Sequence, residues 1–180
     1  MSGLSRYAPL LGLVLLLLTG LARVGWTTDG VIEDLPAPPS ADRVVFADEP
    51  LPEHPFPSLL HVEATVWWDR SDVWMAVADD SEVERCASAP ASSFFEQCVS
   101  TDLNAIVMAE AGTGDVGMTW SVPAGVFHVG YGTVETPPDV TMSVEWEVKA
   151  QLNGAATALF TLFSFGLIAP ALIQRYSTSS

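Results

Sequence analysis

The feature that most constrains this chain is a run of twenty residues, 154–173, GAATALFTLFSFGLIAPALI, without a single charged side chain. As a helix it would measure about 30 Å, the thickness of a bilayer's hydrocarbon core. A buried soluble helix of this length carries a polar stripe; here the polar side chains are Thr157, Thr161 and Ser164, each able to bond back to its own helix. Lys149 precedes the run and Gln174, Arg175 and Tyr176 follow it, and Pro170 falls near the end, where a distortion does not stop a span. The run predicts a transmembrane helix over 154–173, with a tail at 174–180.

The amino end holds a second apolar run. Arg6 precedes sixteen uncharged residues, 7–22, and Gly20-Leu21-Ala22 fits the small-x-small pattern of signal-peptide cleavage. The other reading carries the helix to Trp26, with Arg23 snorkelling and the indole at the interface, as an uncleaved anchor over 1–26. The length of the run favours the anchor. All 22 acidic residues lie within 29–149, where Arg43, Arg70, Arg85 and Lys149 are the only cations. With Arg6 and Arg175 marking the cytoplasmic sides, residues 27–150 are expected on the extracellular side of a cell membrane. A net charge of −15 with no basic stripe excludes nucleic acid as a partner. Six tryptophans and a mean hydropathy of +0.32 argue against a disordered chain.

Residues 34–57 contain seven of the thirteen prolines, so 27–58 is expected to be an extended, Pro-rich tether, with Val44, Val45 and Phe46 docking on the folded body. Pro36 with Pro39 and Pro52 with Pro55 form P-x-x-P pairs, but an exterior location leaves a spacer as the simpler reading. Beyond the tether the apolar period becomes two. Val140, Met142, Val144, Trp146 and Val148 alternate with Thr141, Ser143, Glu145 and Glu147, as in a half-buried strand. Val116, Met118, Trp120 and Val122 repeat the pattern, and Pro123-Ala124-Gly125 turns into 126–131 as a hairpin. Segments 62–68 and 73–78 make a second pair around Asp69-Arg70-Ser71-Asp72, and shorter strands are expected near 94–99 and 105–109, with a turn at 112–114. Six or seven short strands without an intervening amphipathic helix predict an all-β, antiparallel sandwich over 59–149, joined to the last helix by a linker at 150–153. Trp68, Trp74, Trp120 and Trp146 are its expected core. Trp67 cannot face the same side as Trp68, so one of the two indoles is exposed or lies under the tether.

WSVPAGVFHVGYG at 120–132 and VTMSVEWEV at 140–148, set before a membrane helix, resemble the Golgi-dynamics (GOLD) type of β-sandwich. The resemblance implies a jelly-roll-like, lumenal or extracellular protein-interaction domain on a membrane anchor. The chain departs from the cargo-transport members in having no coiled coil before the membrane and no sorting signal in QRYSTSS, so it implies the fold and an interaction role, and not cargo selection.

Chemistry is sparse. Cys86 and Cys98, in an exported segment, predict a disulfide; they lack the C-x-x-C spacing and the close histidines of a redox or metal pair. His54, His61 and His128 have no zinc-binding spacing, and His128 is expected to face outward from its strand. There is no G-x-S-x-G elbow, no S-x-x-K and no Gly-rich phosphate fingerprint. Neither an enzyme nor a cofactor is expected, and no metal site is assigned. Asp79, Asp80 and Glu82, close in sequence to Asp69 and Asp72, read as a solvated acidic turn; with Trp67 they form the candidate binding surface. The expected function is protein–protein interaction or envelope assembly on the bilayer. The alternatives are a ligand or calcium sensor, tested by a calcium shift in thermal stability, and an accessory subunit of a membrane transport or secretion complex, packed through Gly154, Ala158 and Thr161.

Overall fold

The computed structural model describes residues 4–36, 43–54, 56–88, 98–111, 117–134 and 141–178. Among them are helices α1 (Leu4–Val24), α2 (Asp80–Ser88) and α3 (Gly154–Thr178). The strands are β1 (Trp26–Pro36), β2 (Val45–Phe46), β3 (Leu60–Trp68), β4 (Val73–Asp79), β5 (Val107–Ala109), β6 (Gly117–Ser121), β7 (Phe127–Thr133) and β8 (Thr141–Leu152). They form two four-stranded sheets, in the orders β1-β8-β3-β6 and β2-β7-β4-β5. The pairs β2–β7, β3–β6, β4–β5 and β4–β7 are all antiparallel.

Alternation puts one face of each sheet into a common core. Ala64, Val66 and Trp68 of β3, Met118 and Trp120 of β6, and Met142 and Val144 of β8 meet Val73, Met75 and Val77 of β4 and Phe127 of β7 in one cluster. Trp146 and Val148 pack at its margin. Of the residues expected inside, Trp68, Met118, Trp120, Met142 and Val144 belong to this cluster, and Trp74 is buried on the opposite face of β4.

Neither expected hairpin forms. β3 lies in one sheet and β4 in the other, as do β6 and β7, so each turn carries the chain across the core instead of back along its own sheet. The first corner is held from three sides. Trp68 Nε1 donates to the Val73 carbonyl at 3.0 Å, Val134 N–H donates to the Asp72 carbonyl at 3.0 Å, and Asp69 accepts from Ser143 N–H at 3.0 Å. The second corner uses Gly125 at φ 134°, a backbone region that favours glycine. Apolar alternation is the same in a hairpin and in a corner, which is why the period of two does not separate them.

Segment 27–36, expected at the start of the tether, extends β1 beside β8, and 43–51 is stitched along β7. Val45 and Phe46 pair with Tyr131 and Gly130, Ala47 N–H donates to the Val129 carbonyl at 2.9 Å, and Leu51 N–H donates to the Phe127 carbonyl at 2.7 Å. The docking expected of Val44, Val45 and Phe46 therefore takes the form of strand pairing. Val116, Val140, the turn at 112–114, most of 94–99, and Pro39 and Pro55 lie outside the described residues.

The chain divides into two compact units, one of Met1–Thr27, Phe56–Val62 and Lys149–Ser180, the other of Thr28–Pro55 and Glu63–Val148. In the first, α1 and α3 pack side by side. A Cβ on Gly12 would stand 2.8 Å from both Ile168 and the Ser164 carbonyl, while the end of α1 meets the start of α3 through Arg23, which donates to the Leu152 carbonyl at 3.4 Å. The two helices therefore run antiparallel. Gly25, at φ 82°, ends α1 with its N–H on the Leu21 carbonyl at 3.2 Å. Asn153 starts α3: its Oδ1 accepts from Ala156 N–H at 2.8 Å, and its Nδ2 donates to the Ser58 carbonyl at 2.7 Å. The expected linker thus shrinks to Asn153, because β8 continues to Leu152 and α3 begins at Gly154. Over Tyr7–Val24, α1 is long and apolar enough to cross a membrane; the apolar stretch found in α3 is Gly154–Pro170.

Candidate functional site

The sheet β2-β7-β4-β5 is covered on both faces. Trp74, Ala76 and Ala78 point away from the core, yet all are buried. Their cross-strand partners are Gly132, Gly130 and His128, so small residues keep this outer face low. A Cβ on Gly130 would lie 2.6 Å from Val44 and 2.8 Å from Phe46, so the side chains of the strand paired beside β7 reach over its glycine. Helix α2 packs on β4 and β7 beside it.

Helix α2 is the element that was not expected. Asp79 caps it, accepting from Glu82 N–H at 2.9 Å and from Ser81 Oγ at 2.6 Å, and these bonds hold its carboxyl below the usual range. Asp79-x-x-Glu82 is the spacing of a capping box, the signal that marks this helix start in the sequence. Glu82 turns toward Arg85, accepting from Nε at 2.8 Å and Nη2 at 2.7 Å, and also accepts from Asn104 N–H at 2.8 Å. Only 5% exposed, it is no part of a solvated acidic turn. The Arg85 hydrogen bonds hold its pKa down against the cost of burial, and they raise that of Arg85. Arg85 continues to the Asp102 carbonyl at 3.1 Å, tying α2 to the 99–105 loop.

Between α2 and the 43–48 segment opens a cleft of about 480 Å³. Val44 and Phe46 form one wall, Val83, Ala87 and the Cys86–Cys98 disulfide the other, and Arg43, Asp48 and His128 are its polar groups. The disulfide is the expected one, with Cα atoms 5.6 Å apart. His128 does point outward from β7, but it is buried, with Nε2 3.2 Å from Asp80 Oδ1 and Nδ1 3.4 Å from the Ala47 carbonyl. The expected outward orientation holds, and the burial comes from α2 and the 43–48 segment beside it. Both partners are acceptors. A neutral ring donates through one nitrogen, and an imidazolium through both.

The candidate surface residues are not gathered into one place. Asp69 and Asp72 sit before β4, Asp79 ends it and Asp80 and Glu82 follow, with about 20 Å of strand between the two groups. Asp69 is engaged with Ser143, and Asp72 accepts from Arg70 Nε at 2.9 Å, which lowers its pKa. Trp67 is 38% exposed on the outer face of β3, its indole lying over Gly117. No group of three or more His, Cys, Asp or Glu that could hold a metal ion occurs among the described residues. The described parts of the cleft bring together no nucleophile and base.

No protein-family model matches the sequence, and no curated protein matches it. Among solved structures the chain is similar to one in the X-ray structure of tomato aspermy virus, at 12% identity over 72% of this chain and 80% of that one, with a TM-score of 0.36. It is also similar to the tobacco streak virus coat protein dimer, at 7% identity over 69% and 86% of the two chains, with a TM-score of 0.34. Scores at this level do not establish a shared fold.

Proposed function

We propose that this chain is a membrane-anchored protein whose acidic β-sandwich, GOLD-like in its layout, lies on the extracellular side and acts by binding another protein, in recognition or envelope assembly, without catalysing a reaction. The observation that carries this reading is the surface of the helix pair. Leu10, Leu11, Leu17, Leu18 and Leu21 of α1 and Leu159, Leu162, Phe163 and Phe165 of α3 are all more than half exposed. An uncovered apolar surface of this kind suits lipid and is costly in water. The hydroxyls suit lipid as well: Thr19 donates to the Leu15 carbonyl at 2.8 Å, Thr157 to Asn153 at 2.8 Å and Ser164 to Phe160 at 2.7 Å, so each is satisfied within its own helix. The disulfide favours an oxidising compartment. Two sheets sharing one core support the sandwich.

The test combines fractionation with cross-linking in the native membrane. The protein is expected to resist alkaline carbonate extraction, to lose residues 27–150 to protease added outside intact cells, and to give discrete cross-linked species from the β-rich unit. Release by carbonate would remove the anchor, and protection of 27–150 would reverse the orientation. A β-rich unit without any cross-linked protein would remove the interaction role.

A further inference from the structure

β1 stands at the end of its sheet: β8 is its neighbour, and no described strand pairs with its other side. Apolar side chains stand exposed on both its faces, although the Trp146 indole lies over Gly30 on one of them. Val31 is 56% and Ile32 47% exposed, and successive residues point to opposite faces, so β1 shows an uncovered aliphatic side chain on each. Protein edges are normally blunted by charged side chains, lysine above all, or by a structural stop such as proline, a bulge or a covering loop. β1 has such a stop only toward its end, where Asp34 adopts φ 58°, Leu35 packs against the core and Pro36 follows. Residues 28–33 form a regular, open edge before it.

The charge on that edge has one sign. Asp29, Val31 and Glu33 share a face, which reads acid, aliphatic, acid. Asp29 and Glu33 are exposed and make no ion pair among the described residues. A second copy pairing antiparallel about Val31 would set Asp29 opposite Glu33 twice, in a molecule of net charge −15. A basic strand meets no such cost.

Resting on the interaction role proposed above, we infer that residues 28–33 are a docking edge that accepts an extended segment of a partner protein as an added strand. The segment has Lys or Arg at two positions four residues apart and an aliphatic residue midway. Backbone hydrogen bonds to the open edge supply the attachment, the two cations face Asp29 and Glu33, and the aliphatic residue covers Val31.

The test uses the full chain in detergent micelles and three labelled eleven-residue probes: one with the lysine–valine–lysine pattern in a threonine background, one with glutamate for lysine, and one with proline for the central valine. The lysine peptide is expected to bind and to slow hydrogen exchange at alternate amides within 28–33. The other two peptides should bind at least about tenfold more weakly. Asp29→Lys with Glu33→Lys, both at exposed positions, should transfer the preference to the glutamate peptide. The inference is overturned if the lysine peptide does not bind at millimolar concentration, if the proline peptide binds as well as the lysine one, or if binding leaves exchange at 28–33 unchanged. Self-association of the chain that protects these same amides would identify a second copy as the occupant and overturn it too. Photo-cross-linkers placed at positions 31 and 67 in the native membrane separate this inference from the broader role. A partner captured from 67 and not from 31 removes the edge alone; no partner from any position removes both.

Discussion

Three tryptophans in this molecule lie over three glycines. The position a Cβ would take on Gly30 is 2.6 Å from the Trp146 indole, that on Gly117 is 2.5 Å from Trp67, and that on Gly132 meets Trp74. A strand glycine leaves a gap in its sheet, and an indole laid across it restores the buried area. Gly132→Ala is expected to destabilise by about 1–3 kcal/mol, because Trp74 is 3% exposed and has nowhere to go. Gly117→Ala should cost distinctly less, since Trp67 is 38% exposed and can swing outward. Thermal denaturation of the two variants checks this, and equal losses would trace the effect to the backbone instead of the indoles. Residue identities foretold much here: Trp68 and Trp120 are core, and the Trp67–Trp68 pair splits as expected. Trp74 is buried as expected, but on the outer face of β4, because alternation assigns opposite faces without saying that both are covered. Glu82 makes a second residue-level prediction. Its folded pKa, like those of Asp72 and Asp79, lies below the unfolded value, so its contribution is present above about pH 4.3 and is lost as pH falls through the lower folded pKa. Stability should hold near neutrality and fall below about pH 4.5. Glu82→Gln should flatten part of that acid slope in a pH series of urea melts, while lowering stability at pH 7.

At the scale of elements, the disulfide and the capping of α2 act on the same short segment. Cys86 lies in α2, and Cys98 accepts through its carbonyl from Val44 N–H at 2.7 Å, so the bridge joins the helix to the segment that pairs along β7. Replacing both cysteines by serine is expected to cost about 3 kcal/mol by the loop-entropy estimate. Guanidinium unfolding of the variant, set beside the oxidised native protein, measures it; equal stability with and without the bridge would contradict it. Strand existence was legible from period-two alternation in β3, β4, β6, β7 and β8. Strand pairing was not, because a corner that changes sheets and a hairpin that returns share the same turn residues. Helix α2 was legible in its cap and hidden by its composition, since Val83, Cys86 and Ala87 are its only apolar residues apart from the acids and Arg85 around them. The cleft could not be foreseen. His128 and Asp80 are brought together by the packing of α2 on β7, which no local pattern encodes.

For the whole molecule, the two chain ends form the closest helix contact. Gly12 packs against Ser164, Leu167 and Ile168, and Ala156, Ser164 and Thr19 are buried, whereas Gly154 and Gly166 face open space. Gly154 and Ala158, expected to pack in a larger complex, are exposed on this helix pair. Gly12→Leu should force the helices apart, seen in micelles as at least about tenfold faster amide exchange in α3 with unchanged tryptophan emission from the β-rich unit. If exchange in α3 stayed the same, Gly12 would not be the tight point. The order of strands has a further consequence, and it concerns time. Of the described strands β8 is the last to be synthesised, yet it lies between β1, the earliest of them, and β3. Until residues 141–152 leave the ribosome, β1 has no neighbour, and the exposed edge of β3 that β8 will occupy stays vacant. The sheet is completed by insertion from the chain's own far end, a non-local step of the kind that folds slowly and leaves nascent edges open to other chains. A cell making this protein must keep that gap free from the synthesis of β3 until that of β8.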